Sequence, residues 1–307
     1  MIEDQEMDLV HDDISPFPTL YPHWLCEKSN IPKLATIHNF QGSLVSWVRR
    51  YGIMGIGGSL GEGALRKGYL RYDHIITDSS WLQQDLAQDL PTHKVSWIPN
   101  GVDTNHFRPV KSTEIRSGVD GSVTFLCVGR FVGLKGHNVL LRSFVRLRKK
   151  GLKIRLVLVG TGPRLQAVKT LSEQLSIGSS VSFLDHVSHD RMPRIYQDAD
   201  VFILPSISEG MSFALLEAMS SGLPTIASDI PGNRAVVDDA TGILVPPRRE
   251  EELSMAMERL AVDETQRQGM ARSARRKIVK MFTWERIAQR QFDLFISCIE
   301  NRRNDSS

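Results

Sequence analysis

Cysteine is scarce in this chain. Cys26, Cys127 and Cys298 stand far apart among 307 residues. An odd, scattered set supplies neither a disulfide framework nor the close spacing of a zinc site, and a reducing, cytoplasmic setting is the simplest reading. Also missing is any run near the ~20 apolar residues that a membrane span needs. The net charge is only +3, too small an excess to argue for nucleic acid. The opening residues carry Glu3, Asp4, Glu6 and Asp8, the opposite of the basic start of a signal peptide. No unit of about 20–50 residues repeats, which excludes a solenoid. No Gly-Lys-Ser/Thr follows a glycine loop, which excludes a Walker site.

What is present is ordinary for a globular protein of about two domains: 41% hydrophobic and 24% charged residues. From about residue 118 strands and helices alternate. Strands are expected at Val123–Val128, Ile154–Val159, Val181–Leu184, Val201–Leu204 and Thr225–Ala227. Helices are expected over residues 136–150, 164–176, from 191, near 233–237, 250–260 and 264–280. Valine- and leucine-rich strands without polar alternation imply a parallel sheet buried on both faces, hence a doubly wound, Rossmann-like domain. The first part is less regular. It offers strands near 8–11, 33–37, 73–77 and 94–98, and a glycine-rich, loop-like stretch from Gly52 to Gly63.

Three loops follow strands of the second part. Gly129-Arg130-Phe131-Val132-Gly133-Leu134-Lys135-Gly136 brings two cations to one strand end. Arginine grips phosphate oxygens bidentately and lysine acts as a point charge; two solvated charges in a loop are the plain alternative. Gly160-Thr161-Gly162-Pro163 repeats the theme. Pro205 to Pro224 then carries Glu209 before a helix start and Glu217 in its second turn, with Ser212 as N-cap. Free amides at such a start hold an anion, whereas carboxylates accept hydrogen bonds from hydroxyls. A ligand with both phosphate and sugar satisfies this pattern; an ordinary strand–helix joint with a solvated glutamate also accounts for it.

Glu209 and Glu217 lie within Pro-Ser-x-x-Glu-Gly-Met-Ser-Phe-Ala-Leu-Leu-Glu-Ala-Met-Ser-Ser-Gly-Leu-Pro. This stretch resembles the signature of the retaining family 4 glycosyltransferases, which have the GT-B fold. The resemblance implies an α/β protein with two Rossmann-like, doubly wound parallel-sheet domains facing a cleft. Residues 1–117 would be the acceptor-side domain with its linker, 118–280 the nucleotide-sugar domain, and 281–307 a helix crossing back to the first domain and a frayed tail.

The resemblance also implies roles. Arg130 and Lys135 hold the diphosphate and stabilise it as it leaves. Glu209 binds sugar hydroxyls and Glu217 ribose hydroxyls. Gly129, Gly160, Gly162, Gly210, Met211, Ser212 and Phe213 complete the donor site. The loops at Asp185–Val187 and Ser228–Asn233 adjoin it, and Asn100-Gly101-Val102-Asp103 closes the first domain. His38, in Thr36-Ile37-His38-Asn39, sits where sugar meets acceptor, and the donor phosphate serves as base.

The partners implied are a nucleotide-sugar donor and a glycan, lipid-linked or small-molecule acceptor, with no cofactor, metal or nucleic acid. Asp198-Ala199-Asp200 copies the metal motif of another glycosyltransferase fold, but lies at a helix end and reads as caps and solvation. His11-Asp12-Asp13 reads as strand-end turn formers. Trp47–Tyr51 mixes apolar and basic groups, compatible with a peripheral membrane contact or with a solvated helix face. The basic run Arg272, Arg275, Arg276, Lys277 and Lys280 reads as a solvated face.

Relatives begin with a strand and a glycine-rich loop, and nothing of that kind precedes Asp8, so the first domain is expected to be incomplete. Two rivals follow: a nucleotide-sugar-binding protein with little transfer activity, and another enzyme on the same fold, such as an epimerase or a phosphorylase.

Overall fold

The structure, a computed structural model, describes residues 8–14, 31–37, 72–88, 90–110 and 121–304. His38 and Asn39, Trp47–Tyr51, the glycines from 52 to 63 and the expected linker as far as residue 120 lie outside the described residues. Two compact units result. One comprises the described residues up to Asn100 together with those from Glu285 onward, the other Gly101–Trp284.

In the first unit β1 (Val10–Ile14), β2 (Lys33–Ile37), β3 (His74–Thr77) and β4 (Val95–Trp97) form a parallel sheet in that order. Adjacent residues Leu34 and Ala35, and again Ile75 and Ile76, are buried, so both faces are covered and the strands show no alternation. Helix α1 (Ser80–Leu86) closes one face, where Leu86 joins Ala35, Ile37, Ile75 and Val95. On the other face Ile287 of the C-terminal helix, Trp284–Asn304, joins Leu34, Ile76 and Ile98. β1 starts at Val10 rather than Asp8. Its His11 bonds Thr36 Oγ1 at 2.7 Å, and its Asp12 accepts from Tyr72 at 2.8 Å.

The second unit alternates β5 (Val123–Val128), α2 (His137–Lys149), β6 (Ile154–Val159), α3 (Leu165–Gln174), β7 (Val181–Leu184), α4 (Met192–Gln197), β8 (Val201–Leu204), α5 (Phe213–Ser220), β9 (Thr225–Ser228), α6 (Pro231–Arg234) and β10 (Gly242–Val245). Helices α7 (Glu250–Val262) and α8 (Glu264–Met281) follow. The strands are parallel, in the order β10-β9-β8-β5-β6-β7. The chain winds outward from β5 through β6 to β7, then from β8 through β9 to β10. The order therefore reverses between β5 and β8, and the crevice beyond the carboxyl ends of two such strands is where this architecture binds ligands.

Packing fixes that crevice in place. Leu140, Leu141, Phe144 and Leu147, spaced three and four apart, turn one face of α2 onto Phe125, Leu156 and the Met257–Leu260 side of α7. Cys127 lies in the same core, and burial pushes its thiol up to about 12, which leaves it unreactive.

Two expectations need correction. The short helix expected near 233–237 is Pro231–Arg234, because Pro231 presets helical φ at its first position. The basic run of α8 is not wholly a solvated face. Arg275 donates to Phe107 O, Ser220 O and Ser220 Oγ at 2.9 Å and to Thr104 O at 3.0 Å. Five donors in a rigid fork suit a cluster of carbonyls, and charge pattern alone does not reveal such a cluster. Among the described residues no helix is long and apolar enough to cross a membrane.

Candidate functional site

The loops after β5 and β8 meet at the point where the strand order reverses. A single 3-10 turn, Gly133–Lys135, leads into α2 through Gly136, which has φ +71°. A Cβ at Gly136 would run into the Pro205 carbonyl, so only glycine permits both the backbone angle and the approach. Ile207 N donates to Leu134 O at 2.7 Å and stitches the two loops together. The loop after β6 closes in from the other side. Gly160, at φ +142°, faces the Gly129 carbonyl, where a Cβ would collide. Phe131 N donates to Thr161 O at 2.8 Å and Arg164 N to Phe131 O at 3.0 Å across Gly162.

These contacts place Glu209 and Lys135 together. Lys135 Nζ lies 2.5 Å from Glu209 Oε1, and Ser206 Oγ donates to the same oxygen at 2.6 Å. Glu209 is 7% exposed, so the carboxylate is desolvated and depends on these donors. Its Oε2 has no hydrogen bond among the described residues, and two of the ammonium's three donors remain. Arg130 is exposed on the same loop, with no ion pair among the described residues. The Gly210 carbonyl touches Gly232 at the start of α6, where a Cβ would not fit.

Met211 is buried beneath the start of α5. Ser212 is its N-cap by backbone (φ −79°, ψ 120°) but makes no side-chain capping bond, and the first turn has no acidic residue. The amides there are left for an anion. Phe213 at that start is half exposed, its ring centroid 6.3 Å from that of Trp284.

Glu217, about one turn on, accepts a hydrogen bond from Tyr196 Oη of α4 at 2.7 Å. Burial raises the carboxyl above the usual carboxylate range, opposed by the tyrosine bond and by nearby His189 and His106. Tyr196 is fully buried, and its hydroxyl is pushed well above its usual value by burial and then by Glu217. The Phe107 ring stands edge-on to Tyr196, centroids 5.7 Å apart. Asp103 shapes the segment carrying Phe107 by accepting from Asn105 N at 2.8 Å and His106 N at 2.9 Å; these amides hold its carboxyl below the usual range.

His106 stacks on His189, centroids 4.9 Å apart and planes within 6°. With Asp190 these rings gather three potential metal-ligand groups. Parallel planes do not meet at one point, so the in-plane lone pairs of the two rings do not converge on one ion in this arrangement.

Every expected donor residue from Gly129 to Glu217 thus lies in the second unit, at the carboxyl edge of its sheet, while His38 lies outside the described residues. Asp200 caps the start of β5 by accepting from Thr124 N at 2.8 Å, and Asp198 pairs with Arg194 at 3.0 Å. Asp185 pairs with Lys169 at 3.1 Å. Tyr196, His106 and His189 are not singled out by the sequence, and Arg275 enters there only as part of a solvated basic face. Tyr196 stands among Arg194, Gln197, Asp198 and Asp200, and no local pattern marks it.

Comparison with known proteins gives the following. A family model described as glycosyl transferases group 1 matches residues 113–277, more than half of the chain, and one described as glycosyltransferase family 4 matches residues 1–106. A GDP-mannose-dependent alpha-(1-6)-phosphatidylinositol monomannoside mannosyltransferase of Mycobacterium tuberculosis is 28% identical over 234 residues, 72% of this chain and 61% of that protein. A D-inositol 3-phosphate glycosyltransferase of Rhodococcus erythropolis is 30% identical over 74% of this chain and 54% of its own length. The chain therefore spans about three fifths of the length of the curated relatives it matches. Among solved structures, sucrose-phosphate synthase from Thermosynechococcus elongatus superimposes with TM-score 0.78 at 23% identity, covering 97% of this chain and 75% of that one. Anabaena Alr3699/HepE in complex with UDP and glucose does so at 0.72 and 18%, covering 90% and 73%. At these identities the solved structures speak for the fold alone, an α/β protein with two parallel sheets of the GT-B type.

Proposed function

Because this chain belongs to the glycosyl transferases group 1 family, we propose that it moves a sugar from a nucleotide-diphosphate donor to a hydroxyl of an acceptor, with retention at the anomeric carbon and without a metal. The observation that carries the reading is the contact of Lys135 with Glu209 where the strand order reverses, with Arg130 exposed on the same loop as Lys135. Leaving-group charge grows on the diphosphate as the glycosidic bond breaks, and fixed cations stabilise it most in a desolvated site. Lys135 and the free amides of α5 supply that charge from one side, and exposed Arg130 adds a bidentate fork. Glu209 keeps Oε2 for a sugar hydroxyl while its Oε1 fixes Lys135. Glu217 is left for the ribose hydroxyls. The proton released by the acceptor goes to a donor phosphate oxygen, and His38 lies at the junction of sugar and acceptor. A glycan, a lipid-linked glycan or a small molecule fits the acceptor role.

Calorimetric titration with UDP-, GDP- and ADP-sugars, with Arg130→Ala alongside, tests this reading. The range of bases is chosen because the mycobacterial relative is GDP-mannose-dependent and the Anabaena structure holds UDP. Saturable binding of one series, lost in the variant, is the expected result. A folded protein that binds none would overturn the donor site.

A further inference from the structure

Tyr196 stands out among buried groups that the reading above leaves unused. It is fully buried in α4, yet its hydroxyl is directed at Glu217 Oε2, 2.7 Å away, on a different helix. Glu217 itself is only partly buried, and its Oε1 has no hydrogen bond among the described residues. One carboxylate oxygen thus faces inward onto a fixed donor, and the other is unengaged. The donor is fixed because the tyrosine ring is packed between Phe107, edge-on to it at 5.7 Å, and Phe202 of β8, tilted against it at 6.2 Å. Phe107 is in turn held by Arg275 and Ser220, which both donate to its carbonyl.

We propose that Tyr196 is a positioning residue for ribose recognition: it pins Oε2 of Glu217, so that the remaining lone pairs of the carboxylate face the ribose hydroxyls in one rotamer. The inference rests on the donor-site reading given above. A glutamate side chain free to turn pays rotamer entropy when it binds; one already held by a buried hydroxyl does not, and a neutral donor at 2.7 Å favours its charged form, the better acceptor.

The test is a titration of the full chain with UDP or GDP, whichever the wild type binds, and with its 2′,3′-dideoxy counterpart. Tyr196→Phe removes one oxygen and keeps the ring. It is expected to weaken binding of the natural nucleotide roughly tenfold and to leave the dideoxy form, which has no hydroxyl for Glu217, unchanged. In a Glu217→Ala background, which leaves no side-chain oxygen for the tyrosine to hold, the tyrosine substitution should have no further effect. Equal weakening of both nucleotides, no weakening of either, or additive losses in the double variant would overturn the proposal. If the wild type binds no nucleotide at all, the donor-site reading itself fails and this inference goes with it. Should Tyr196→Phe not fold, 3-fluorotyrosine placed at position 196 carries the test. Its fluorine resonance must move with the natural nucleotide and not with the dideoxy form; any other pattern overturns the proposal.

Discussion

Lys135 Nζ and Glu209 Oε1 are 2.5 Å apart, although 74 residues separate them. The pair joins the loop after β5 to the loop after β8, and both side chains are largely removed from water, at 18% and 6% side-chain exposure. Removing one partner of such a pair strands the other charge. Lys135→Met should therefore destabilise the second unit by roughly 3–5 kcal/mol, whereas Lys135→Met combined with Glu209→Gln should recover most of that loss. Both variants should lose donor binding. Urea unfolding of the two, set against the wild type, measures the coupling; equal destabilisation by the single and double variants would show that the pair contributes nothing.

The same junction depends on Gly136. An alanine there must adopt φ near +71° and push its Cβ into the Pro205 carbonyl. Left-handed backbone costs about 1–3 kcal/mol, and forced overpacking costs about as much again. Gly136→Ala should thus lose several kcal/mol, with donor affinity falling in parallel because Pro205 starts the Glu209 loop. Gly178→Ala, where a Cβ meets nothing within 4 Å, is the matched control and should unfold at nearly the wild-type urea concentration.

Glu217 gives a prediction of the opposite sign. Burial raises its carboxyl above the unfolded value, so folding is favoured by the protonated form. The stability tied to this group is fully present below the unfolded pKa and is lost as pH rises through the folded one. Near neutral pH the ionised side chain is a net cost, and Glu217→Gln, which can still accept from Tyr196, should raise the melting temperature there. The gain should fade in acid, below the ordinary carboxylate range. A variant that binds nucleotide worse while melting higher is the pattern expected of a residue kept for its ligand.

How legible was this in the sequence? The second unit was read almost element by element, because strands buried on both faces leave unbroken apolar runs such as Val201–Leu204, and glycine and proline mark their ends. Arg130, Lys135 and Glu209 are singled out for a related reason, because each lies in the loop that follows a strand end, whereas Glu217 is singled out by the signature stretch it shares with Glu209. Contacts between distant segments were not visible. Nothing near Arg275 says that its guanidinium will meet the carbonyls of Thr104, Phe107 and Ser220. Nothing near Tyr196 says that a helix 21 residues on will offer a carboxylate. Lys135 and Glu209 were each expected to hold a ligand, and their bond to each other arises only when β5 and β8 become neighbours.

Two buried histidines contribute to the response to acid. His137 packs its ring on Phe131, centroids 4.3 Å apart, and its Nε2 has no hydrogen-bond partner. Burial, with Lys135 and Arg164 nearby, lowers it from 6.5 to about 4. His74 in the first unit bonds Ser96 Oγ at 2.9 Å and is lowered to about 4 by burial, His93 and Lys94. Both fold as neutral rings, so between these limits the unfolded chain binds more protons and stability rises with pH. The contribution is complete above about pH 6.5 and is lost as pH falls through about 4. Each shift amounts to something of order 3 kcal/mol at most. His137→Leu should flatten this slope for the second unit and leave the contribution of His74 in place. Urea midpoints at pH 7, 5.5 and 4.5 measure it; an unchanged pH slope in the variant would show that His137 does not stay neutral in the fold.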